Sequence, residues 1–112
     1  MKKAMISQPM VGRTTEEIKQ TREKAIQYLK NAGYEVVNTL FTNEWYSKEN
    51  LEERGVVNIP LYFLAKSLEN VSKCHAAYFA IGWLTARGCC IEHSAAKKYG
   101  LEILCHVMIY KI

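Results

Sequence analysis

The side chain best placed for chemistry in this chain is Glu92. It follows the apolar run Ala76-Ala-Tyr-Phe-Ala-Ile81 and a loop that holds Gly82, Trp83, Arg87 and Gly88. That order reads as a buried strand, a loop and then a helix. In open parallel α/β sheets, ligands sit beyond the carboxyl ends of the strands. A half-buried carboxylate there can act as a nucleophile or a general base, although a glutamate in this position can also simply cap its own helix. Gly82 and Gly88 let backbone approach a ligand closely, and Arg87 suits a phosphate or carboxylate. A second group lies at the end of the first apolar run: Ser7, Gln8, Pro9 and Met10, then Gly12 and Arg13. In a parallel sheet both loops face the same side and together make a cradle for a sugar or phosphate. Trp83 suits either stacking on a base or plugging the end of the sheet.

Cysteine and histidine offer a competing chemistry. Cys74-His75, Cys89-Cys90 with His93, and Cys105-His106 resemble metal-ligand pairs. Their expected positions, at opposite ends of one strand and inside another, keep them from converging on a tetrahedral site. Free cysteines in a reducing compartment are expected, with no metal. His75 and His106 read as core histidines. His93 should point about 100° away from Glu92 around the helix. There is no G-x-G-x-x-G and no Walker sequence, so no dinucleotide or triphosphate cofactor is expected.

The elements that must position these groups follow from pattern. Lys3 to Ser7 is a continuous apolar strand, as in a sheet covered on both faces. Thr14 and Glu17 form a capping box. Ile18, Arg22, Ala25, Ile26 and Leu29 follow as the inward stripe, and Gly33 closes the helix. Tyr34 to Leu40 reads as a second strand. Residues 41–57 read as a short helix or a mobile flap. Asn58 and Pro60 start a helix with Leu61, Leu64, Ala65, Leu68 and Val71 inward. Cys74 to Ile81 is a central strand. Arg87 to Tyr99 is a helix with Ile91, Ala95 and Tyr99 toward the sheet. Leu101 to Ile109 is the last strand. The sum is a minimal flavodoxin-like or Rossmann-like three-layer sandwich with a parallel sheet of four to five strands.

The 112 residues fit one domain, and 49% hydrophobic with 23% charged is ordinary for a soluble globule. No apolar run is long enough to span a bilayer, and the start of the chain lacks a signal-peptide core. A cytoplasmic protein is expected, with no membrane partner. The net charge of +4 suits a small anion and does not call for a nucleic acid polymer.

Ser7-Gln-Pro-Met10, the helix Thr14–Gly33, Ala65-Lys-Ser67-Leu68, and Gly82-Trp83 followed by Gly88-Cys-Cys-Ile-Glu92-His-Ser-Ala-Ala96 resemble the nucleoside 2-deoxyribosyltransferase-like superfamily, in particular its small bacterial and phage members. The resemblance implies that Glu92 is the nucleophile in retaining glycosyl chemistry on a nucleoside or nucleotide. The product would be a transferred 2-deoxyribosyl group or a hydrolysed N-glycosidic bond. It also implies that the Ser7–Arg13 turn and the Gly82–Gly88 loop hold the sugar and any phosphate, and that a homo-oligomer completes the site. Characterised members carry an aspartate where Ser67 stands, a tyrosine where Met5 stands and an acidic residue where Ala86 stands. Two rival readings remain. One is a non-catalytic module binding a nucleotide or nucleotide-derived signal. The other is a hydrolase of another ribosylated small molecule, held by Arg13 and Arg87.

Overall fold

The computed structural model describes residues 1–37 and 48–105. β1 (Lys3–Ser7) leads through a turn into α1 (Thr15–Asn31) and β2 (Glu35–Val36). α2 (Lys48–Glu53) and α3 (Ile59–Val71) then return the chain to β3 (Ala76–Phe79). A single 3₁₀ turn (Trp83–Thr85), α4 (Arg87–Lys98) and β4 (Glu102–Cys105) complete the described chain. The strands form one parallel sheet in the order β2-β1-β3-β4. This is a small three-layer α/β fold of the doubly wound kind. None of the described helices is long and apolar enough to cross a membrane.

The sheet is covered on both faces because successive strand residues point to opposite sides. Ala4, Ile6, Ala76, Tyr78 and Ala80 meet Ala25 and Leu29 of α1 on one face. Met5, Ala77 and Phe79 meet Val71 of α3 and Ala96 of α4 on the other. Two-sided burial explains why β1 and β3 are continuously apolar rather than alternating. These two strands are the central pair, in register from Ala4 opposite Ala76 to Ser7 opposite Phe79. The strand order reverses between them, so a crevice opens beyond Ser7 and Phe79.

α1 follows its sequence signals. The Thr14 hydroxyl accepts from the Glu17 backbone N–H at 3.1 Å, and the Glu17 carboxylate accepts from the Thr14 N–H at 2.9 Å. Arg22, Ala25 and Leu29 are buried, with Ile18 and Ile26 half-buried. Thr14→Ala removes one half of the reciprocal cap and will cost about 1 kcal/mol, read as a lower urea midpoint with an unchanged slope.

Several elements depart from the expected bounds or faces. The second strand is Glu35–Val36, the third is Ala76–Phe79 and the fourth is Glu102–Cys105. Residues 38–40 and 106–109 of the expected strands lie outside the described residues, as do His106 and residues 41–47. The stretch 48–53 is helical, and its Leu51 is buried. On α3, Leu61 and Ala65 are exposed, Leu64 and Leu68 are half-buried, and Val71 is buried. Its inward face is thus narrower than its apolar composition. His75 is exposed rather than in the core, and its Nδ1 accepts from the Lys3 N–H at 3.0 Å.

The largest correction concerns α4. Ile91 is 41% exposed and Tyr99 is 86% exposed, so the expected stripe does not face the sheet. Cys89, Glu92 and Ala96 do. The helix is turned by about one residue, or roughly 100°. Small Cys89 and Ala96 let α4 sit close against β3, and that closeness brings Glu92 to the end of β1.

Candidate functional site

Glu92 is 8% exposed and sits at the floor of the crevice. The Ser7 hydroxyl, on the last residue of β1, donates to Glu92 Oε1 at 3.0 Å. Oε2 has no hydrogen-bond partner among the described residues. Burial pushes the Glu92 carboxyl up from the usual 4.5 to about 7, against a smaller opposing pull from the Ser7 hydroxyl. Glu92 is the sixth residue of α4, beyond the first turn where the helix dipole acts, so desolvation decides the direction. At neutral pH this carboxyl is balanced between its acid and its carboxylate.

The cavity around it has a volume of about 760 Å³. Its wall brings together Ser7, Gln8, Met10, Arg13, Ser67, Arg87, Gly88 and Glu92. Gly12, Gly82 and Trp83 lie outside that wall. Gly12 is the third residue of the turn closed by the Arg13 N–H donating to the Met10 carbonyl at 3.1 Å, and its φ of 78° is what a type II turn requires there. Gly82 has φ 88°, and a Cβ at that position would stand 2.6 Å from Arg13 Nη2. The Arg13 guanidinium therefore lies over Gly82, beside the loop that follows β3. Gly82→Ala will cost about 1–2 kcal/mol from the left-handed backbone alone. It will also displace the Arg13 guanidinium, which a denaturation series paired with a structure of the variant will show.

Trp83 closes the sheet end instead of facing the cavity. Its ring stacks on His93 at 4.3 Å between centroids and 19° between planes, and Phe79 packs against both. Burial and the nearby Lys97 charge hold the His93 imidazole below its ordinary range. Gln8 anchors the first loop: its Nε2 donates to the Ile18 carbonyl of α1 at 3.0 Å.

Two residues of the wall carry chemistry that sequence patterning did not assign to the site. Arg22 lines the cavity from α1 although it is only 8% exposed. A charged residue in the middle of an apolar helical stripe was the available signal. Cys89 lines the floor beside Ser7 and Glu92; burial pushes its thiol up, so it is a poor nucleophile. The described cysteines are all free, and no group of three metal-ligating side chains gathers among the described residues. α4 begins at Ala86 without a side-chain cap, so its first N–H groups, at Arg87, Gly88 and Cys89, border the cavity unpaired within the helix.

Fold and site together define a doubly wound α/β protein with one buried carboxylate and several arginines at its topological switch point. The chain belongs to the family described as Domain of unknown function (DUF4406), whose model matches residues 2–105. No curated protein and no solved structure matches it.

Proposed function

We propose that this protein cleaves the N-glycosidic bond of a nucleoside or nucleotide, or transfers its 2-deoxyribosyl group, through Glu92 as nucleophile. The observation that carries this reading is the buried Ser7–Glu92 pair at the floor of an open cavity beyond the β1 and β3 ends. It accords with the likeness to the nucleoside 2-deoxyribosyltransferase-like superfamily. Ser7 fixes Oε1, and Oε2 attacks the anomeric carbon. The bond from that carbon to the base nitrogen breaks, its electron pair leaves with the base, and a glycosyl ester forms. Water or a second base then attacks the same carbon and frees the carboxylate. In hydrolysis the proton lost by water is the one the departing base gains. Two displacements give net retention.

Glu92 is the sole carboxylate in the cavity wall among the described residues. Among the described residues no second acid lines the cavity to protonate the departing base, so bases that leave readily as anions will react fastest. The same observation favours a second reading, a non-catalytic module that binds a nucleotide or a nucleotide-derived signal in this cavity. The free cysteines suit a cytoplasmic setting. The exposed Val57, Leu61 and Leu84 suit a homo-oligomer.

The test is base release. Wild type and Glu92→Gln are incubated with 2′-deoxynucleosides and their 5′-monophosphates, with and without an acceptor base, and free base is followed by chromatography. Release by wild type alone supports glycosidic cleavage, and exchange with the acceptor marks a transferase. A thermal shift on one of these compounds with no release from any would favour the binding module.

A further inference from the structure

Gln8 brings an unused acceptor to the cavity. The residue lines the wall and is only 8% exposed. One end of its amide is engaged, because Nε2 donates to the Ile18 carbonyl of α1 at 3.0 Å. The other end, Oε1, is buried and has no hydrogen-bond partner among the described residues. Turning the amide over would set Oε1 against the Ile18 carbonyl, so that bond fixes which end is left over. Buried polar side-chain atoms are nearly always paired, and an orphaned one costs the empty protein its lost hydration. A ligand N–H or O–H that meets Oε1 therefore gains more than the same contact would at the surface.

Gln8 and Glu92 also stand on opposite sides of the crevice. The Ser7 side chain reaches Glu92 of α4, whereas the Gln8 side chain reaches α1, and these two helices cover opposite faces of the sheet. Attack by Glu92 Oε2 expels the base from the far side of the anomeric carbon. That turns the base away from α4 and toward α1, where Gln8 is anchored.

We infer that Gln8 Oε1 accepts a hydrogen bond from an amino group of the base, so that the cavity prefers amino-bearing bases to those without the group. The assignment to the base rests on the function proposed above; the need for a ligand donor rests on the unpartnered Oε1. An oxo group in the same place would set two carbonyl oxygens against each other, which works against such a base. Gln8 is a specificity residue in this account, touching the base without taking part in bond breaking.

The test is calorimetric titration of Glu92→Gln, in which no substrate is consumed. The ligands are 2′-deoxyadenosine, 2′-deoxyguanosine and 2′-deoxycytidine, each paired with the analogue in which hydrogen replaces the amino group. The ribo and 2′,3′-dideoxy forms of the same bases report on the sugar hydroxyls. In at least one pair the amino compound is expected to bind on the order of tenfold tighter. Adding Gln8→Met brings that ratio to within about twofold. Adding Gln8→Glu instead, which keeps an acceptor and loses the bond to Ile18, leaves the preference in place. Should Gln8→Met not fold, Gln8→Leu replaces it, and the ratios in Glu92→Gln alone still decide against the inference if every pair binds equally. A preference lost to the same extent in Gln8→Met and Gln8→Glu would mark Gln8 as a loop anchor only and overturn the inference. So would a Gln8-dependent preference that follows a sugar hydroxyl and not the amino group. Base release by wild type without amino preference would sink this inference and leave the glycosidic reading standing; amino preference in binding without base release would do the reverse.

Discussion

Glu92→Gln will lower base release by on the order of 10³-fold or more while the protein stays folded. The size follows from the role. Removing a nucleophile abolishes the covalent route, whereas removing a residue that only orients it leaves the route open. Glutamine keeps the shape and can still accept from Ser7, so loss of turnover will report the missing carboxylate and not a collapsed cavity. Ser7→Ala is the contrasting variant. It deletes the 3.0 Å bond that fixes Oε1 and will cost roughly tenfold. The pH profile separates the two effects. In the proposed role Glu92 must be ionised, and burial pushes its carboxyl up to about 7, so kcat/KM of wild type will rise with pH through that value. The Ser7 hydroxyl pulls the Glu92 carboxyl down, so Ser7→Ala will move the rise to higher pH. A flat profile from pH 5 to 9 would remove Glu92 ionisation from the rate.

The same burial makes stability depend on pH. Glu92 has an ordinary value of 4.5 when unfolded and about 7 when folded. The folded state therefore holds its proton more tightly. Below pH 4.5 both states are protonated and the favourable burial of the neutral acid is fully present. As pH rises through about 7 that contribution is lost, because the folded state must hold a carboxylate away from water. The gap corresponds to on the order of 3 kcal/mol. Glu92→Gln has no such titration. Relative to wild type, the variant will gain stability steadily between pH 5 and pH 8, up to on the order of 3 kcal/mol. Urea denaturation of both proteins across that range checks it. A constant difference at every pH would mean that Glu92 is not desolvated in the folded protein. Loss of function with gain of stability in one variant is the signature of a site held against its folding preference.

Much of this architecture was legible because several local signals agreed. The apolar runs of β1 and β3 declared strands covered on both faces. The Thr14–Glu17 capping box and Gly33 bounded α1 within a residue. The Ser7 turn and the loop before Glu92 were placed together by the rule for parallel sheets, and Ser7, Arg13, Arg87, Gly88 and Glu92 do share one cavity. What pattern reading got wrong was the face of α4. Hydrophobic periodicity ranks isoleucine and tyrosine inward and glutamate outward, so it chose Ile91, Ala95 and Tyr99. The helix instead buries Cys89, Glu92 and Ala96. A buried carboxylate breaks the pattern at the point where the pattern would have to reveal it. Arg22 was hidden for a related reason: its place in the α1 stripe made it look like a stem covering the core, although it lines the cavity wall. Local sequence left Trp83 open between a stacking platform and a plug over the sheet end. Its partners Phe79 and His93 lie 4 and 10 residues away, on a strand and a helix whose packing no local signal reports.

The most direct test is intact-mass spectrometry of the protein quenched in acid during turnover of a 2′-deoxynucleoside 5′-monophosphate, followed by peptide mapping. A glycosyl adduct on the peptide containing Glu92, present in wild type and missing from Glu92→Gln, is the expected result. Base release without any adduct, or an adduct mapped to another side chain, would contradict the assignment of Glu92 as nucleophile.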